Sequence, residues 1–421
     1  MKAVILIAGK GERLLPLTAN RPKHLLPIAG KPLLEWLLLG IKEAGIFDVL
    51  LVTHYKEKMI KERIGDGSSL GLKINYVSQK EMSGTANAFN YAIDFIAGDD
   101  FLGIYGDLYL APNVLKKVVS AHSHGQTTIT ALKRDPYLYG ALKVEKDRVL
   151  EIVEKPKPGT APSDVTNAGI YVFPPEVFKH IQDTTLSPRG EYEITDTINH
   201  MINSGILTRV HMIESNDWID VGNPWTLLEA NERAMKNLKG NIEGNIEKGS
   251  YFKGEIFIAK SAIIKSGVYI EGPAFIGDNC EIGPNSYIRP GTVLIQNNKV
   301  GAGSEIKNSI LFNGAHIPHL SYVGDSIIGE RTNFGAGTIT ANLRFDNKPV
   351  KMTIKEMRVD TGRRKLGTII GDDVQTGINV SIHPGVKIGN KVWIEPGSTV
   401  TLDVPDNVIL LRDGSKKPKQ Y

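Results

Sequence analysis

Residues 9–23, GKGERLLPLTANRPK, set Gly9 and Gly11 close to Arg13 and Lys23 in one short segment. Gly9 and Gly11 expose backbone N–H groups that can hold phosphate oxygens. Arg13 and Lys23 add two cations, a set that suits a triphosphate whose charge must be neutralised during displacement. Leu14 stands where a G-x-G-x-x-G dinucleotide fingerprint needs its third glycine, and the G-x-x-x-x-G-K-[ST] signature of ATPase-type loops is missing. A second stretch with chemical potential is HIPHLSYVGD, 316–325, where two histidines stand three positions apart. Histidine is a residue type that can move protons, so the pair reads either as chemistry or as a tolerated irregularity.

The elements around these residues follow two grammars. Up to about residue 222, short apolar runs alternate with helical periods. AVILIA (3–8), VLLVT (49–53), KINYV and FLGIYGD read as buried strands, and Leu34, Leu37, Leu38 and Ile41 give a helix face closed by Gly45. This alternation predicts an α/β, Rossmann-like layer on a mostly parallel sheet. The Gly-x-Gly segment directly follows the first strand, at the carboxyl end where such sheets bind ligands. Asn223-Pro224 reads as an N-cap and first helical residue, opening a connector helix through about Leu238 that Gly240 stops.

From residue 245 the period becomes six. The apolar beat runs Ile246, Phe252, Ile258, Ile264, Ile270, Ile276, Ile282, Ile288, Leu294, Val300, Ile306, Phe312. Three short strands per coil, stacked as a left-handed parallel β-helix, are what such a repeat predicts. The beat fails at Pro318 and returns at Ile328 and Phe334, two residues out of phase. A column of small residues includes Cys280, the single cysteine, which is read as packing. The repeat is absent from Asn342 to Gly367, a charged insert read as a loop leaving the coil. The expected domains are 1–222, a linker helix over 223–244, and a β-helix over 245–421.

Composition narrows the class. The chain has 421 residues, 41% hydrophobic and 23% charged, with net charge +4. That is ordinary for a globular protein. One cysteine excludes a disulfide framework or a cysteine-rich metal site. The mild charge does not call for nucleic acid, and the N-terminal apolar run is too short for a signal peptide or membrane span. A cytoplasmic protein acting on small molecules is expected.

The 9–23 segment, with QKEMSGTANA (79–88), YGD at Asp107, YGAL at Gly140, EKP at Glu154 and Lys155, NAGIY at Asn167 and WIDVG at Asp220, closely resembles the sugar-1-phosphate nucleotidylyltransferases, in their order and spacing. The resemblance implies that Arg13 and Lys23 are catalytic and that Gly9, Gly11, Gln79, Gly84 and Thr85 bind the nucleotide. It further implies that Gly140, Glu154, Lys155 and Asn167 hold the sugar phosphate and that Asp107 and Asp220 hold Mg²⁺, which prefers oxygen ligands in an incomplete protein shell. The reaction would be an in-line displacement at the α-phosphorus with pyrophosphate leaving.

In the second half, YIRPG, SEIKN, HLSYVGD and TNFGAGTITAN resemble the acetyltransferase half of bifunctional glucosamine-1-phosphate acetyltransferase/N-acetylglucosamine-1-phosphate uridylyltransferases, in their archaeal form. Carried over, His319 is the general base. Arg289, Lys307, Tyr322 and Asn333 bind the acceptor, and Ala336, Asn342 and Lys365 lie near acetyl-CoA, the cosubstrate. A homotrimer is implied. Ile378, Pro396 and the longer insert depart from the family pattern on the CoA side, and His316 and His383 match no family position. The Arg363–Lys365 run could meet CoA phosphates or water equally. Gln79 pairs with the edge of uracil or thymine alike, so the nucleotide is UTP or dTTP. Two other readings stay open: a glucose-1-phosphate thymidylyl- or uridylyltransferase with a structural β-helix, and a non-enzymatic assembly subunit, against which intact Arg13, Lys23, Asp107 and Asp220 count.

Overall fold

A computed structural model describes residues 1–419, so the last two positions of the expected β-helix span lie outside the described residues. The chain forms two compact units. One holds Met1–Lys10 with Leu33–Asp220, and the other holds Gly11–Pro32 with the chain from Val221 onward. The Gly-x-Gly segment is thus divided, with Gly9 in the first unit and Gly11, Arg13 and Lys23 in the second.

The first unit is built on a nine-stranded sheet in the order Lys73–Ser78, Asp48–Thr53, Lys2–Leu6, Phe101–Tyr105, Val165–Phe173, Thr127–Lys133, Thr208–Met212, Arg148–Glu154, Gly140–Glu145. The four strands legible in the sequence are parallel neighbours. Beyond them the sheet is mixed rather than mostly parallel: Val165–Phe173 runs antiparallel to both its neighbours. Strands Gly140–Glu145 and Arg148–Glu154 form a direct hairpin, which needs no crossover helix and so permits antiparallel pairing. Helix Leu33–Glu43 buries Leu34, Leu37, Leu38 and Ile41 as its spacing predicts.

In the second unit three parallel ladders form the faces of the β-helix. One inward aliphatic per strand fills a continuous core from Ile256 to Leu410, each contributing about 1.5–3 kcal/mol of burial. The phase slip is not where the sequence pattern put it. Ile276 pairs with Leu294, eighteen positions on, but Leu294 pairs with Leu311 and Leu311 with Ile328, each seventeen on. Ile306 pairs with Val323. The inward beat is therefore Ile306, Leu311, Ile317, Val323, Ile328, Phe334, and one residue is missing from each of two successive turns, 307–310 and 324–327. Phe312 points outward, and Ile317 keeps the beat that Pro318 seemed to break.

Both shortened turns lie on the same edge of the coil, and the insert leaves from that edge one coil later, between Thr340 and Ile369. It is more than a loop. Lys351–Ile354 and Met357–Asp360 pair as an antiparallel hairpin over Lys355-Glu356, whose positive φ angles suit the twist of a two-residue turn. Helix Pro224–Met235 opens on the expected Asn223 cap and ends ahead of Gly240. It runs beside this edge, with Asn231 Nδ2 donating to the Gly291 carbonyl at 3.0 Å and Glu232 accepting from Asn308 at 2.7 Å and from Arg363.

No helix among the described residues is long and apolar enough to cross a membrane.

Candidate active sites

In the first unit a pocket opens at the carboxyl end of the parallel strands, lined by Ala8, Gly9, Gln79, Gly84, Thr85 and Asp107, with Tyr105 and Glu191. Five sequence-predicted residues are thereby brought together. Gln79 is buried, and its side-chain amide donates to the Glu81 carbonyl at 2.9 Å, which orients it. Gly84 takes φ +125°, and a Cβ there would lie 2.4 Å from the Tyr192 carbonyl oxygen; only glycine fits that approach. Thr85 Oγ1 accepts the Ile194 N–H at 2.9 Å, tying the segment to helix Ile194–Asn203.

Asp107 directly precedes strand Leu108–Leu110, which pairs antiparallel with Trp218–Asp220 so that Asp220 faces Leu108. This two-stranded ribbon brings two acidic residues from distant parts of the sequence onto adjacent strands, and Asp107 lines the pocket. Two carboxylates and room for phosphate oxygens and water fit a magnesium ion.

The residues predicted to hold the sugar phosphate sit on or beside neighbouring strands. Gly140 lies opposite Glu154 in the ladder, and a Cβ at 140 would come 3.0 Å from its carboxylate. Asn167 is buried and held by two hydrogen bonds: its Nδ2 donates to Tyr171 Oη at 2.5 Å and its Oδ1 accepts the Gly169 N–H at 3.0 Å. Burial pushes the Glu154 carboxyl above its ordinary range, against the pull of Lys155 and Arg189. Burial likewise raises Glu193, reinforced by Glu154. Arg189 spans Glu154 at 3.6 Å and Glu193 at 2.8 Å. Sequence reasoning assigned nothing to Arg189, Glu191 or Glu193. Their signal was the dense charge alternation of RGEYE, residues 189–193.

In the second unit the Gly11–Pro32 segment folds on itself. Gly11 takes φ +70°, Thr18 Oγ1 donates to its carbonyl at 2.8 Å, and a Cβ at Gly11 would meet Lys23 Cβ at 3.0 Å. Arg13 and Lys23 are each carried by a short 3-10 turn, and His24 beside Lys23 is buried.

The shortened edge of the coil gathers most of the predicted acceptor residues. Arg289 and Lys307 are outward on successive coils, about 4.8 Å apart along the stack. Arg289 pairs with Glu305 at 2.7 Å, and its guanidinium lies over the Tyr287 ring. Lys307 Nζ meets Asp325 at 2.8 Å. Asn342 Nδ2 donates to the same carboxylate at 2.5 Å and lies 3.1 Å from Tyr322 Oη. Burial raises the Tyr322 hydroxyl pKa, and the Asp325 charge adds to this. Asp325, quoted within HLSYVGD but given no role, is the group that locks Lys307 and Asn342. Lys365 is exposed at the base of the insert, where its residue bridges Leu343.

His319 and Ala336 lie on a different edge. His319 is exposed on the turn before strand Tyr322–Gly324, and the Gly337 N–H donates to its carbonyl at 3.3 Å, which stacks Ala336 one coil beyond. Asn333 bridges His316 and Gln375 on the face leading to that edge. Within one chain the strand Tyr322–Gly324 therefore separates the proposed base from the Lys307 side by roughly 10 Å. His316 and His383 are exposed. Ile378 is exposed on the His319 edge, where the Asn379 N–H donates to the Ala336 carbonyl at 2.8 Å. Cys280 is buried in the core with its thiol pushed up to about 12, chiefly by burial.

Comparison with known proteins agrees with both halves. The Nucleotidyl transferase family profile matches residues 2–237, the GMPPB C-terminal domain profile 270–383, and the Bacterial transferase hexapeptide profile 367–401. A Sulfurisphaera tokodaii protein named bifunctional sugar-1-phosphate nucleotidylyltransferase/acetyltransferase is 43% identical over 96% of this chain and 98% of its own. The chain belongs to the bifunctional sugar-1-phosphate nucleotidylyltransferase/acetyltransferase family. Another member, the bifunctional protein GlmU of Methanocaldococcus jannaschii, is 42% identical over 98% of each chain. A UDP-glucose pyrophosphorylase solved with UDP-glucose matches at TM-score 0.51 and 23% identity, covering 56% of this chain and 98% of that one, which shows the fold of the nucleotidyl transferase part.

Proposed function

We propose that this chain makes UDP-N-acetylglucosamine in two steps. It transfers acetyl from acetyl-CoA to glucosamine-1-phosphate, then couples N-acetylglucosamine-1-phosphate to UTP with release of pyrophosphate. The observation that carries the reading is the edge where Arg289 and Lys307 stack beside Tyr322 and Asn342, in a chain that also holds the Gly9–Gln79–Gly84–Asp107 pocket. A scaffold subunit needs neither.

On this reading 1–222 is the nucleotidylyltransferase domain, 223–244 the connector and 245–421 the acetyltransferase domain. In the first step His319 takes the proton from the amine as it attacks the thioester. Arg289 and Lys307 hold the acceptor's phosphate, Tyr322 and Asn333 its sugar, and Ala336, Asn342 and Lys365 lie toward acetyl-CoA. Because His319 and Lys307 occupy different edges of one coil, neighbouring copies in a homotrimer would each supply one group. In the second step Gly84, Thr85 and the oriented amide of Gln79 receive the base and ribose. Gly9, Gly11, Arg13 and Lys23 cradle the phosphates, while Gly140, Glu154, Lys155 and Asn167 align the sugar phosphate for in-line attack. Asp107 and Asp220 would hold Mg²⁺, which supplies charge neutralisation to the triphosphate. We place the enzyme in the cytoplasm, where these substrates occur.

The test is a paired assay on the purified full chain. Thiol should be released from acetyl-CoA only when glucosamine-1-phosphate is present, and His319→Ala should abolish this while sparing pyrophosphate release from UTP. Wild-type protein that releases no thiol with any amino-sugar phosphate would remove the acetyl step.

A further inference from the structure

We propose that Asp372, on the β-helix, is a positioning residue for nucleotidyl transfer, fixing the Gly11–Pro32 segment that carries Arg13 and Lys23. The inference rests on the roles given above to those two cations. A connection of this length with little regular structure is expected to move unless something ties it down. Here the tie is specific. Asp372 Oδ2 accepts from Arg21 Nη2 at 2.8 Å and from Asn20 Nδ2 at 2.8 Å, while its Oδ1 accepts the Glu330 N–H at 2.9 Å. Arg21 and Asp372 are 6% and 1% exposed, so this pair is desolvated on both sides.

The surroundings are built to receive the segment. Arg21 also pairs with Glu330 at 3.0 Å and lies over the Phe312 ring, 5.2 Å from its centroid. Its Nη1 returns to the Leu17 carbonyl at 3.0 Å, closing the loop around the guanidinium. Asn390 Oδ1 accepts the Asp372 N–H at 2.9 Å and lies 3.3 Å from Asn20 Nδ2. Phe312, Glu330, Asp372 and Asn390 are one edge of four successive coils, and Phe312 faces outward there because the preceding turn lost a residue. This third edge carries none of the acceptor or acetyl-CoA residues assigned above. Lys23 follows Arg21 by two positions, so whatever fixes the guanidinium limits where the lysine can stand.

The arrangement makes the β-helix a fixed support for the phosphate-binding segment of the other reaction. Displacing catalytic groups by about 1 Å can cost a hundredfold in rate, so loosening the support should act on nucleotide turnover and leave acetyl transfer alone.

Full-length Asp372→Asn, Arg21→Lys and Asn20→Ala variants test this, with both activities measured on each preparation. Asp372→Asn should raise the KM for UTP and lower kcat for pyrophosphate release, together by about tenfold or more. The KM for N-acetylglucosamine-1-phosphate and the rate of thiol release should stay within about twofold of wild type. Arg21→Lys, which keeps the charge but not the fork, should fall between, and Asn20→Ala should shift UTP turnover in the same direction to a smaller extent. A merely destabilised protein would lose active molecules for both reactions without changing either KM. Wild-type UTP kinetics in Asp372→Asn would overturn the proposal. So would parallel loss of both activities in Asp372→Asn with Asn20→Ala unchanged. Absence of pyrophosphate release from wild type with any nucleotide would instead refute the nucleotidyl assignment beneath it.

Discussion

Removing Asp325 should separate the two activities and lower stability at the same time. Its carboxylate accepts from Lys307 Nζ at 2.8 Å, Asn308 Nδ2 at 2.8 Å and Asn342 Nδ2 at 2.5 Å. The Asp325 side chain is 3% exposed and that of Lys307 is 19% exposed. Breaking a buried pair by deleting one partner costs about 3–5 kcal/mol, because the other charge is left without compensation. Water reaches part of Lys307, which puts Asp325→Ala at the low end, about 3 kcal/mol. Asp325→Asn keeps the shape but removes the charge from three hydrogen bonds, at about 1.5–3 kcal/mol. For a domain of this size each kcal/mol moves the melting temperature by about 2–4 °C, so Asp325→Ala should lower the β-helix transition by roughly 6–12 °C. Lys307 and Asn342 would lose their fixed positions, and kcat/KM for thiol release should fall about a hundredfold. Pyrophosphate release at a temperature below the transition should be unchanged. Calorimetry together with both assays on one preparation reads all of this. A melting temperature within about 1 °C of wild type and unaltered acetyl transfer would refute the reasoning.

Three other outcomes follow from the geometry. Burial raises the Glu154 carboxyl pKa, so the folded state retains a proton that the unfolded chain releases. The associated stability is fully present below the ordinary carboxylate range, about 4.3, and is lost as pH rises through the raised value. Glu154→Gln should therefore raise the melting temperature at pH 7–8, with a gain that vanishes on titration toward about pH 4, while raising the KM for the sugar phosphate; a pH-independent difference would contradict this. Cys280, buried and with its thiol pushed up to about 12, should be inert to thiol reagents in the native protein and titrate as a single group only after unfolding. Asp107→Asn, Asp220→Asn and chelation should each suppress pyrophosphate release by about a hundredfold or more, equivalent to about 2.7 kcal/mol, and leave thiol release intact.

Much of the fold is legible in the sequence because the signals are local. The apolar runs at 3–8 and 49–53, the spacing of Leu34, Leu37, Leu38 and Ile41, and the Asn223-Pro224 cap each act within a few residues, and each element appears where its pattern places it. The motifs mark Gly9, Gln79, Gly84, Thr85 and Asp107 individually, and the pocket contains them all. The mixed sheet was not legible, since short apolar strands read alike in parallel and antiparallel pairs.

The order of residues alone carries the grammar: a layered α/β half, a six-residue coil, and chemically competent residues at strand ends and turns. Which of those residues meet depends on how the whole chain packs. A phase slip of two could be spread over any turns between Ile306 and Ile328. It was the ladder register that located two single deletions on one edge, turned Phe312 outward and brought Asp325 between Lys307 and Asn342. Arg21 and Asp372 stand 351 positions apart, and no local period connects them. Periodicity tells which way a side chain faces. Its neighbour across the stack is set by register and by where distant segments dock, which depend on the whole chain packing at once.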